Sequence, residues 1–282
     1  MQAIRSIKSL RRAVNQAKSK GKTVGFVPTM GALHQGHLSL VRRSKKENTL
    51  TVMSIFVNPT QFGPKEDFAK YPRNLRRDKL FAKKEKVDIL FLPSAVDIYP
   101  KGYTTGVEVG KMADGLCGRF RPGHFKGVAT VVAKLLNIVS PDVMYLGQKD
   151  AQQAVILQRM VKDLNFPLHI KVLPTVREKS GLALSSRNTY LNPDERKRAA
   201  VIFQSLRRAR ALIQKGERRA TTLTAMMRAM ISRQRPAKID YIECRDANTL
   251  DSVSRLKGKV LIALAVWFGK TRLIDNTVVS VR

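Results

Sequence analysis

The stretch TVGFVPTMGALHQGHLSL, residues 23–40, decides the fold of this chain. Its first five residues, Thr23–Val27, form a short apolar run of β-forming residues, and Pro28, Gly31 and Gly36 then mark a tight turn before an apolar segment of helical period. A strand that leads through such a turn into a helix is typical of α/β proteins. The stretch therefore predicts the first strand–turn–helix unit of a parallel sheet.

Similar apolar runs recur along the chain up to about residue 173, separated by longer segments of helical period. The runs are Leu50–Val57, Val87–Leu92, Val143–Leu146 and Leu168–Leu173. The clearest helical segment has apolar residues at spacings of three and four, which predicts a helix with one buried face. These residues are Val128, Val131, Val132, Leu135, Leu136 and Val139. We therefore predict an α/β fold, a Rossmann-like doubly wound parallel sheet with helices on both sides.

The pattern changes near residue 190, where a smaller α+β unit is predicted. Asn192 and Pro193 at one end and Gly216 at the other bracket one long helix. Its buried stripe would consist of Ala199, Ile202, Phe203, Leu206, Ala209 and Ile213. A second helix is predicted at about 219–233, and strands are predicted near 238–243, 259–266 and 277–281. With the boundary between 174 and 190, the domains would be 1–175, Rossmann-like, and 176–282, smaller and α+β.

The composition is that of a strongly basic globular protein. The 282 residues are 43% hydrophobic, which is enough for a packed core. Lysine and arginine number 53 against 21 aspartates and glutamates, a net charge of +32. A nucleic-acid surface, a membrane surface, or a solvated basic surface around an anionic small-molecule site would each be compatible with this excess. The third is favoured, because the charge lies in scattered short clusters that are not interleaved with aromatic residues.

The cysteines and the apolar segments exclude two further classes of protein. Two cysteines, Cys117 and Cys244, cannot form a disulfide framework, and neither belongs to a CxxC motif, so both are expected to be unreactive thiols. The first residues lack the apolar run of a signal peptide, and no apolar stretch approaches 18 residues. We therefore expect a soluble, cytoplasmic protein without a membrane partner.

His34 and His37 lie three residues apart at the start of the first predicted long helix. The unpaired N–H groups and the positive dipole end of a helix favour an anion there, and two imidazoles add hydrogen-bond donors for phosphate oxygens. Taken alone, the pair has two other interpretations. One histidine could cap the helix while the other is a surface residue. A zinc site is the weaker alternative, because no third ligand and no HExxH motif are evident.

Several nucleotide and hydrolase motifs are absent. The sequence GKT at 269–271 is not a P-loop, because Leu264 stands where the required glycine would be. No GxGxxG follows a predicted strand, so a dinucleotide-binding site is unsupported. A GxSxG elbow is also missing, which argues against an esterase.

The HxGH sequence at 34–37 resembles the signature of the nucleotidyltransferase superfamily that includes class I aminoacyl-tRNA synthetases. Further motifs resemble one family within it, pantothenate synthetase. In chain order they are FVNPTQF (56–62), YPR (71–73), RPGHFKGVATVVAKLLNIV (121–139), LGQKDAQQ (146–153), PTVRE (174–178), GLALSSRN (181–188) and GKTRLIDN (269–276). The chain is identified as a member of that family. Two positions depart from its usual pattern: Ser180 replaces an acidic residue, and Ala151 replaces an aromatic one.

The resemblance implies a ligase that condenses pantoate with β-alanine to give pantothenate, AMP and pyrophosphate through a pantoyl-adenylate. The chemistry is consistent with this, because a carboxylate must be activated before an amine can displace one of its oxygens, and the leaving pyrophosphate needs donors and cations. Two other functions are considered: another HxGH nucleotidyltransferase that leaves AMP on its product, and a basic nucleic-acid-binding protein. The family also implies a homodimer.

The resemblance assigns most of the candidate site residues to ATP. They are Met30, Gly31, His34, His37, Gly147, Lys149, Asp150, Val176, Leu184, Ser185, Ser186 and Arg187. His37 would be the proton donor and, with His34 and Lys149, would make up the catalytic set. Asp150 would bind the ribose hydroxyls. Ser185–Arg187 would belong to a lid, formed by 176–282, that covers the β and γ phosphates.

The resemblance assigns Gln61, Gln153 and Asn58 to pantoate, and Gln61 also to β-alanine. Without it, either glutamine would be interpreted as solvent-exposed. Arg121 and His124 could neutralise charge at the rim of the site or fix the turn of RPGHF. Asp78 could orient a magnesium-bound water or be a helix-surface carboxylate. Mg²⁺ is expected to be held by ATP oxygens and not by a protein cage.

Overall fold

A computed structural model describes residues 1–64, 66–234 and 237–281 and contains a six-stranded parallel sheet. Its strands are β1 (Gln2–Ile4), β2 (Val24–Thr29), β3 (Leu50–Ile55), β4 (Ile89–Phe91), β5 (Val143–Gly147) and β6 (His169–Leu173). Their order across the sheet is β1-β4-β3-β2-β5-β6, and every neighbouring pair is parallel. The predicted Rossmann-like fold class is confirmed.

The five predicted strands correspond to β2–β6, and the structure adds β1 at one edge. β1 is only three residues long and pairs in register with Ile89–Phe91 of β4. A three-residue strand carries too little apolar pattern to be recognised in sequence. The buried core of this part of the molecule packs against the central strands and includes Val27, Leu33, Leu38, Val41, Met53, Leu90 and Tyr145.

The structure describes ten α-helices in the parts of the chain that it covers. They are α1 (Ile7–Lys18), α2 (Gln35–Glu47), α3 (Leu75–Lys84), α4 (Ala95–Ile98), α5 (Cys117–Phe120), α6 (His124–Val139), α7 (Ala151–Asp163), α8 (Pro193–Ala199), α9 (Val201–Gln214) and α10 (Ala220–Ser232). Short 3₁₀ turns lie at Pro59–Gln61, Lys111–Ala113, Gln148–Asp150 and Ser186–Tyr190. Connections through α2, α3, α6 and α7 link successive parallel strands, as such a sheet requires.

Helix α6 is more deeply buried than its sequence pattern predicts. All six residues of the predicted apolar stripe are buried, but so is most of the rest of the helix. Only Lys126, Lys134 and Asn137 keep appreciable exposure. The expectation of a single buried face was therefore wrong, because α6 contacts both α1 and the turn at Pro59–Gln61.

The chain divides into two compact units that are not contiguous in sequence. The first comprises Met1–Val109, Arg121–Gly147 and Ile156–Pro174. The second comprises Gly110–Phe120, Gln148–Val155 and Thr175–Arg282. The predicted division at residue 175 lies where the chain enters the second unit for the last time. It assigns two short segments of the second unit, Gly110–Phe120 and Gln148–Val155, to the first domain.

The second unit is built on a three-stranded antiparallel sheet. Its strands are β7 (Ala237–Asp246), β8 (Gly258–Phe268) and β9 (Thr271–Val281), in the order β7-β8-β9. Helix α10 packs against β7 and α9 against β9. The predicted α+β character is confirmed, and each strand extends beyond its predicted bounds.

The long helix predicted after Asn192 is two helices. At Ala200, which ends α8 and precedes α9, the backbone N–H bonds to the Lys197 carbonyl three residues back instead of four. No proline or glycine marks this break, so the sequence pattern runs through it. The predicted stripe is buried except for Phe203, which is half-buried beneath the Arg177 guanidinium.

Two further features of the described residues concern helix length and the cysteines. No helix among the described residues has both the length and the apolar character needed to cross a membrane. Cys117 and Cys244 are free and buried. Burial raises the pKa of the Cys244 thiol to about 11, with a smaller effect from the charge of Glu243, so this thiol is protonated at neutral pH.

Candidate active site

In the first unit, candidate residues follow neighbouring strands at one edge of the parallel sheet. Strand β2 lies between β3 and β5. Residues 30–37 follow β2, residues 56–61 follow β3, and Gly147 ends β5. The carboxyl ends of parallel strands meet at the same edge. The strand order runs from β2 to β3 and β4 in one direction and from β5 to β6 in the other, so it reverses between β2 and β5. Such a switch point is where ligands bind in open α/β sheets.

His34 and His37 form a reciprocal cap on α2. His34 Nδ1 accepts a hydrogen bond from the Gly36 N–H at 3.1 Å, and His37 Nδ1 accepts one from the His34 N–H at 3.3 Å. The ring centroids are 4.1 Å apart, and both residues are half-buried. His34 therefore does cap the helix, but His37 belongs to the same cap and is not a separate surface residue.

The cap also fixes which ring nitrogens carry protons. Because each Nδ1 atom accepts a backbone N–H, a neutral ring must carry its proton on Nε2. Both imidazoles of this pair are thereby set as Nε2–H donors at the N-terminus of α2. Two donors beside the positive end of a helix suit the oxygens of a phosphate.

Asp78 of α3 shapes the turn that precedes the two histidines. Its Oδ2 accepts the Ala32 N–H at 2.9 Å, and its Oδ1 accepts the Leu33 N–H at 2.8 Å. Gly31 has φ +81°, and a Cβ there would lie 2.9 Å from Asp78 Oδ2, so glycine is required. Asp78 is 2% exposed, and its interpretation as a helix-surface carboxylate is wrong. Burial raises its pKa, opposed by the two backbone hydrogen bonds.

Gln61 is a buried, anchored side chain and not a solvent-exposed glutamine. Its Nε2 lies 3.0 Å from the sulfur of Met30, which brings two of the predicted residues together. Asn58 donates from Nδ2 to Gln61 Oε1 and to the Gly127 carbonyl, both at 3.1 Å, and its Oδ1 accepts the Tyr99 hydroxyl at 2.7 Å. Asn58 is 1% exposed and fully hydrogen-bonded, so in this structure it positions Gln61.

Arg121 and His124 hold the backbone of the same glutamine. His124 Nδ1 lies 2.8 Å from the Gln61 carbonyl and must donate to it, while Arg121 donates to that carbonyl at 3.2 Å and to His124 Nε2 at 3.0 Å. Arg121 also forms an ion pair with Glu66. Of the two interpretations of this pair, the structure supports fixing of the turn.

In the second unit, Lys149 and Asp150 lie in the 3₁₀ turn Gln148–Asp150 that follows β5 in the chain. Lys149 Nζ is 3.6 Å from Asp150 Oδ1, and the two side chains are 20% and 49% exposed. An ion pair at this distance with a half-exposed partner contributes little to stability. Both side chains therefore remain available to a ligand.

The adjacent glutamines have different roles. Gln152 is buried: its Oε1 accepts the Cys117 N–H at 2.9 Å, and its Nε2 donates to the Gly115 carbonyl at 2.8 Å. It thus ties down the segment Gly110–Phe120 of the same unit. Gln153 is half-buried, and its side chain makes no hydrogen bond with the described residues. Between the two, Gln153 is the side chain that can serve a ligand.

Val176 and Leu184 are paired across a tight hairpin in the second unit. The Leu184 N–H donates to the Val176 carbonyl at 3.0 Å, and the Glu178 N–H donates to the Leu182 carbonyl at 2.9 Å. Leu182 is 2% exposed and belongs to the core of this unit. The hairpin delivers the chain directly to Ser185, whose Oγ accepts the Arg187 N–H at 3.2 Å and caps the turn Ser186–Tyr190.

Glu178 provides one charged contact of this hairpin. It accepts hydrogen bonds from Asn188 Nδ2 at 3.0 Å and from Arg196 Nε and Nη2 at 3.0 and 2.8 Å. Burial opposes ionisation of Glu178, but these hydrogen bonds outweigh it and lower its pKa. Ser180, one of the two positions that depart from the expected pattern, is exposed and uncharged.

The structure adds residues that the sequence did not single out. Tyr99 holds Asn58 but belongs to none of the quoted motifs. Gln152 lies in the motif LGQKDAQQ, but nothing in the sequence indicates that it anchors the segment Gly110–Phe120. Among the described residues, no group of three or more histidine, cysteine, aspartate or glutamate side chains could hold a metal ion. The zinc interpretation of His34 and His37 thus lacks a third ligand in the described part of the fold.

A family model described as pantoate–β-alanine ligase matches residues 2–278 of the chain. Among curated proteins, the pantothenate synthetase of Caldicellulosiruptor saccharolyticus is 55% identical over 281 residues and covers 100% of both chains. The pantothenate synthetase of Thermotoga neapolitana is 52% identical over 280 residues, covering 99% of this chain and 100% of the relative.

Solved structures give the same result. The pantothenate synthetase of Thermus thermophilus superposes with a TM-score of 0.93 at 42% identity, covering 98% of this chain and 99% of the other. A pantoate–β-alanine ligase of Francisella tularensis, complexed with β,γ-ATP and β-alanine, superposes with a TM-score of 0.80 at 38% identity, covering 98% and 97%. Both similarities extend over essentially the whole chain.

Proposed function

Because the chain belongs to the pantoate–β-alanine ligase family, we propose that it joins pantoate to β-alanine at the expense of ATP through a pantoyl-adenylate. In the first step a pantoate carboxylate oxygen attacks the α-phosphorus of ATP, the bond to the bridging oxygen breaks, and pyrophosphate leaves. In the second, the neutral amine of β-alanine attacks the acyl carbon, AMP leaves with the former carboxylate oxygen, and the amine loses its proton. The related Francisella ligase, solved with an ATP compound and β-alanine, supports these substrates.

The observation that carries the proposal is the reciprocal cap of His34 and His37 at the switch point of the sheet. With both Nδ1 atoms engaged by the backbone, both Nε2–H groups are set as donors. We assign them to phosphate oxygens of ATP, and His37 to the proton supplied as pyrophosphate leaves. Donors that are already oriented stabilise developing charge without reorganising during the reaction. Met30 and Gly31, in the preceding turn, and Gly147, at the end of β5, line the nucleotide in this proposal.

The second unit contributes the remaining ATP-binding groups of the proposal. Lys149 binds the phosphates and Asp150 the ribose hydroxyls. The hairpin from Val176 to Leu184 carries Ser185, Ser186 and Arg187, which bind the β and γ phosphates. The role of 176–282 as a lid over ATP is part of this proposal, and its test is protection of the 185–187 backbone from hydrogen exchange when ATP and pantoate are added.

Pantoate is assigned to Gln61 and Gln153, and β-alanine to Gln61. An amide offers both a donor and an acceptor, which matches a hydroxy acid with a hydroxyl and a carboxylate. Gln61 supports the assignment because its side chain is held at both ends, by Asn58 and by Met30. Asn58 acts in this proposal by orienting Gln61.

We propose that Mg²⁺ reaches the enzyme bound to ATP oxygens. Both carboxylate oxygens of Asp78 already accept backbone N–H groups, so Asp78 fits the role of shaping the turn better than that of holding a magnesium-bound water. A homodimer is expected from the family, and light scattering would then give twice the chain mass of 31.7 kDa.

A coupled assay for AMP tests the proposal. With pantoate, ATP and β-alanine present, AMP and pantothenate should appear in equal amounts, and leaving out β-alanine should limit AMP to what escapes from the bound adenylate. A rival nucleotidyltransferase would need no amine and would keep AMP on its product. If AMP forms at the same rate without β-alanine, or no pantothenate is made, the proposed function is wrong.

A further inference from the structure

The motif GKTRLIDN near the C-terminus contains two adjacent buried polar residues with no part in the substrate contacts proposed above. Asp275 and Asn276 lie next to each other on β9 and are 2% and 4% exposed. Buried polar side chains are retained where they satisfy specific partners. The partners of these two residues are the elements of the second unit that carry candidate ATP-binding groups.

Asn276 uses its whole side-chain amide to hold the turn that contains Lys149. Its Nδ2 donates to the Gln148 and Lys149 carbonyls, both at 2.9 Å, and its Oδ1 accepts from Gln148 Nε2 at 3.0 Å. Three hydrogen bonds from one amide fix both the backbone and one side chain of a 3₁₀ turn. Asn276 therefore fixes the backbone from which the Lys149 side chain projects.

Asp275 holds the hairpin that leads to Ser185. Its two oxygens accept from Arg177 Nη1 at 2.6 Å and Nη2 at 3.0 Å, and Arg177 Nη1 also donates to the Gly181 carbonyl at 3.1 Å. The guanidinium carbon of Arg177 is 4.1 Å from the centroid of the Phe203 ring. A bidentate pair with a planar guanidinium fixes orientation as well as distance.

We infer that Asp275 and Asn276 are positioning residues for the ligase reaction, Asn276 through the Lys149 turn and Asp275 through Arg177 and the Val176–Leu184 hairpin. The inference rests on the proposed function, since it assigns Lys149 and Ser185–Arg187 to ATP. Two consecutive residues of one strand hold both elements, and a further hydrogen bond, from the Asn276 N–H to Asp275 Oδ1 at 2.8 Å, joins the two anchors. The two elements that carry the proposed phosphate-binding groups of the second unit are therefore both held by β9.

A double-mutant cycle on Asn276 and Lys149 tests this. Asn276→Ala should lower kcat for AMP formation by about 10- to 100-fold, the usual cost of losing a residue that orients a reacting group. The KM for pantoate should change by no more than about 3-fold, because displacing the phosphate contacts does not remove the groups that bind pantoate. In the Lys149→Ala background the same change should cost less than about 2-fold, because Asn276 acts through Lys149.

The matched control is Thr277→Ala, at the next position of β9. Thr277 Oγ1 accepts a hydrogen bond from Arg210 on α9, and within the described residues its side chain forms no hydrogen bond with the Lys149 turn. It should leave kcat within about 2-fold of the wild type, as substitutions away from special features do. If Asn276→Ala does not fold, Asn276→Asp, which has the same size but cannot donate to the two carbonyls, takes its place, and thermal unfolding verifies that each variant is folded.

The outcomes separate this inference from the proposed function. Wild-type AMP formation with a loss on Asn276→Ala that disappears in the Lys149→Ala background supports both. Three results would overturn the positioning role while leaving the proposed function intact, provided that the wild type forms AMP. The loss could persist unchanged in the Lys149→Ala background, Thr277→Ala could reproduce it, or Asn276→Ala could cause no loss at all. Absence of AMP formation by the wild type overturns the proposed function, and the inference with it.

Discussion

The two groups of candidate phosphate-binding residues are held in different ways. In the first unit, His34 and His37 hold each other through backbone hydrogen bonds that span three residues. In the second unit, the turn of Lys149 is held by Asn276, which lies 127 positions later in the chain. The first arrangement is local and would be expected in any chain that forms this helix start, whereas the second exists only when the whole unit is folded.

This difference predicts how substitutions in the two groups should affect stability and activity. A local cap combines structure and chemistry in the same side chains, so a substitution there affects both. A remote anchor separates the two, because the residue that binds and the residue that positions it are far apart in sequence. Substitutions that keep the structural role of a residue while removing its chemical role, or the reverse, distinguish the two arrangements.

The largest effect is expected at the histidine cap. Replacement of His37 or His34 by alanine should reduce adenylate formation about 10²- to 10³-fold, as removal of a preorganised donor does. His34→Asn should show the same loss of rate while preserving the stability of α2, because asparagine is among the best N-cap residues. The measurements are single-turnover adenylate formation and thermal unfolding. Unchanged turnover in the alanine variants would remove that histidine from the mechanism.

A smaller effect is expected at Asn58, the anchor of Gln61. Asn58→Ala should raise the KM for pantoate about 10-fold, because Gln61 loses the donor that orients it. It should also lower the free energy of unfolding by about 1–3 kcal/mol, since the Gly127 carbonyl loses its Asn58 donor. Tyr99→Phe removes the hydroxyl contacts to Asn58 and Thr60 but leaves the Asn58 contact to Gln61, and it serves as the control, with a loss of about 1 kcal/mol and near-normal KM. A normal pantoate KM in Asn58→Ala would show that Gln61 needs no anchor.

A third prediction concerns Asp78, which is held only by neutral donors. Asp78→Asn keeps the shape but points an amide N–H₂ at one of two backbone N–H groups, which should cost about 1–3 kcal/mol of stability. Burial raises the pKa of Asp78 above the ordinary 3.8. Its contribution to stability is therefore full below pH 3.8 and declines as pH rises through the raised value. The free energy of unfolding of the wild type, measured by chemical denaturation, should therefore fall relative to that of Asp78→Asn as pH rises through this range.

The smallest effect, and of opposite sign, is expected at Glu178 in the second unit. Its pKa is lowered below the ordinary 4.5, because the bonds to Arg196 and Asn188 outweigh burial. Its stabilising contribution is present above pH 4.5 and is lost as pH falls through the lowered value. As pH falls, the free energy of unfolding of Glu178→Gln should therefore decrease less than that of the wild type. An acid-unfolding profile identical to that of the wild type would contradict the role of this carboxylate in holding the hairpin.

The parts of the fold that the sequence predicted are those with a local periodic signal. Strands β2–β6, the buried stripe of α6 and the start of α8 at Pro193 each carry a pattern within a few residues. The break between α8 and α9 does not, because Ala200 is a good helix former and no proline or glycine interrupts the period. The burial of α6 on nearly all sides depends on which elements pack against it, which no local pattern specifies.

The same limit applies to the site. The spacing of His34 and His37 predicted their joint location at a helix start. The partners of Asp78 lie 45 and 46 positions away, and those of Asn276 lie 127 and 128 positions away. A single sequence does not contain these pairings, because they arise only when strands and helices pack. The roles of Asp78, Arg121 and His124 therefore had alternatives that only the structure could separate.

The most direct test of the central claim follows an oxygen atom through the reaction. Pantoate labelled with ¹⁸O in its carboxylate is incubated with ATP and β-alanine, and the products are analysed by mass spectrometry. Attack of the carboxylate on the α-phosphorus predicts one ¹⁸O atom in AMP for every pantothenate formed. Unlabelled AMP, or ¹⁸O recovered in phosphate or pyrophosphate, would contradict the pantoyl-adenylate.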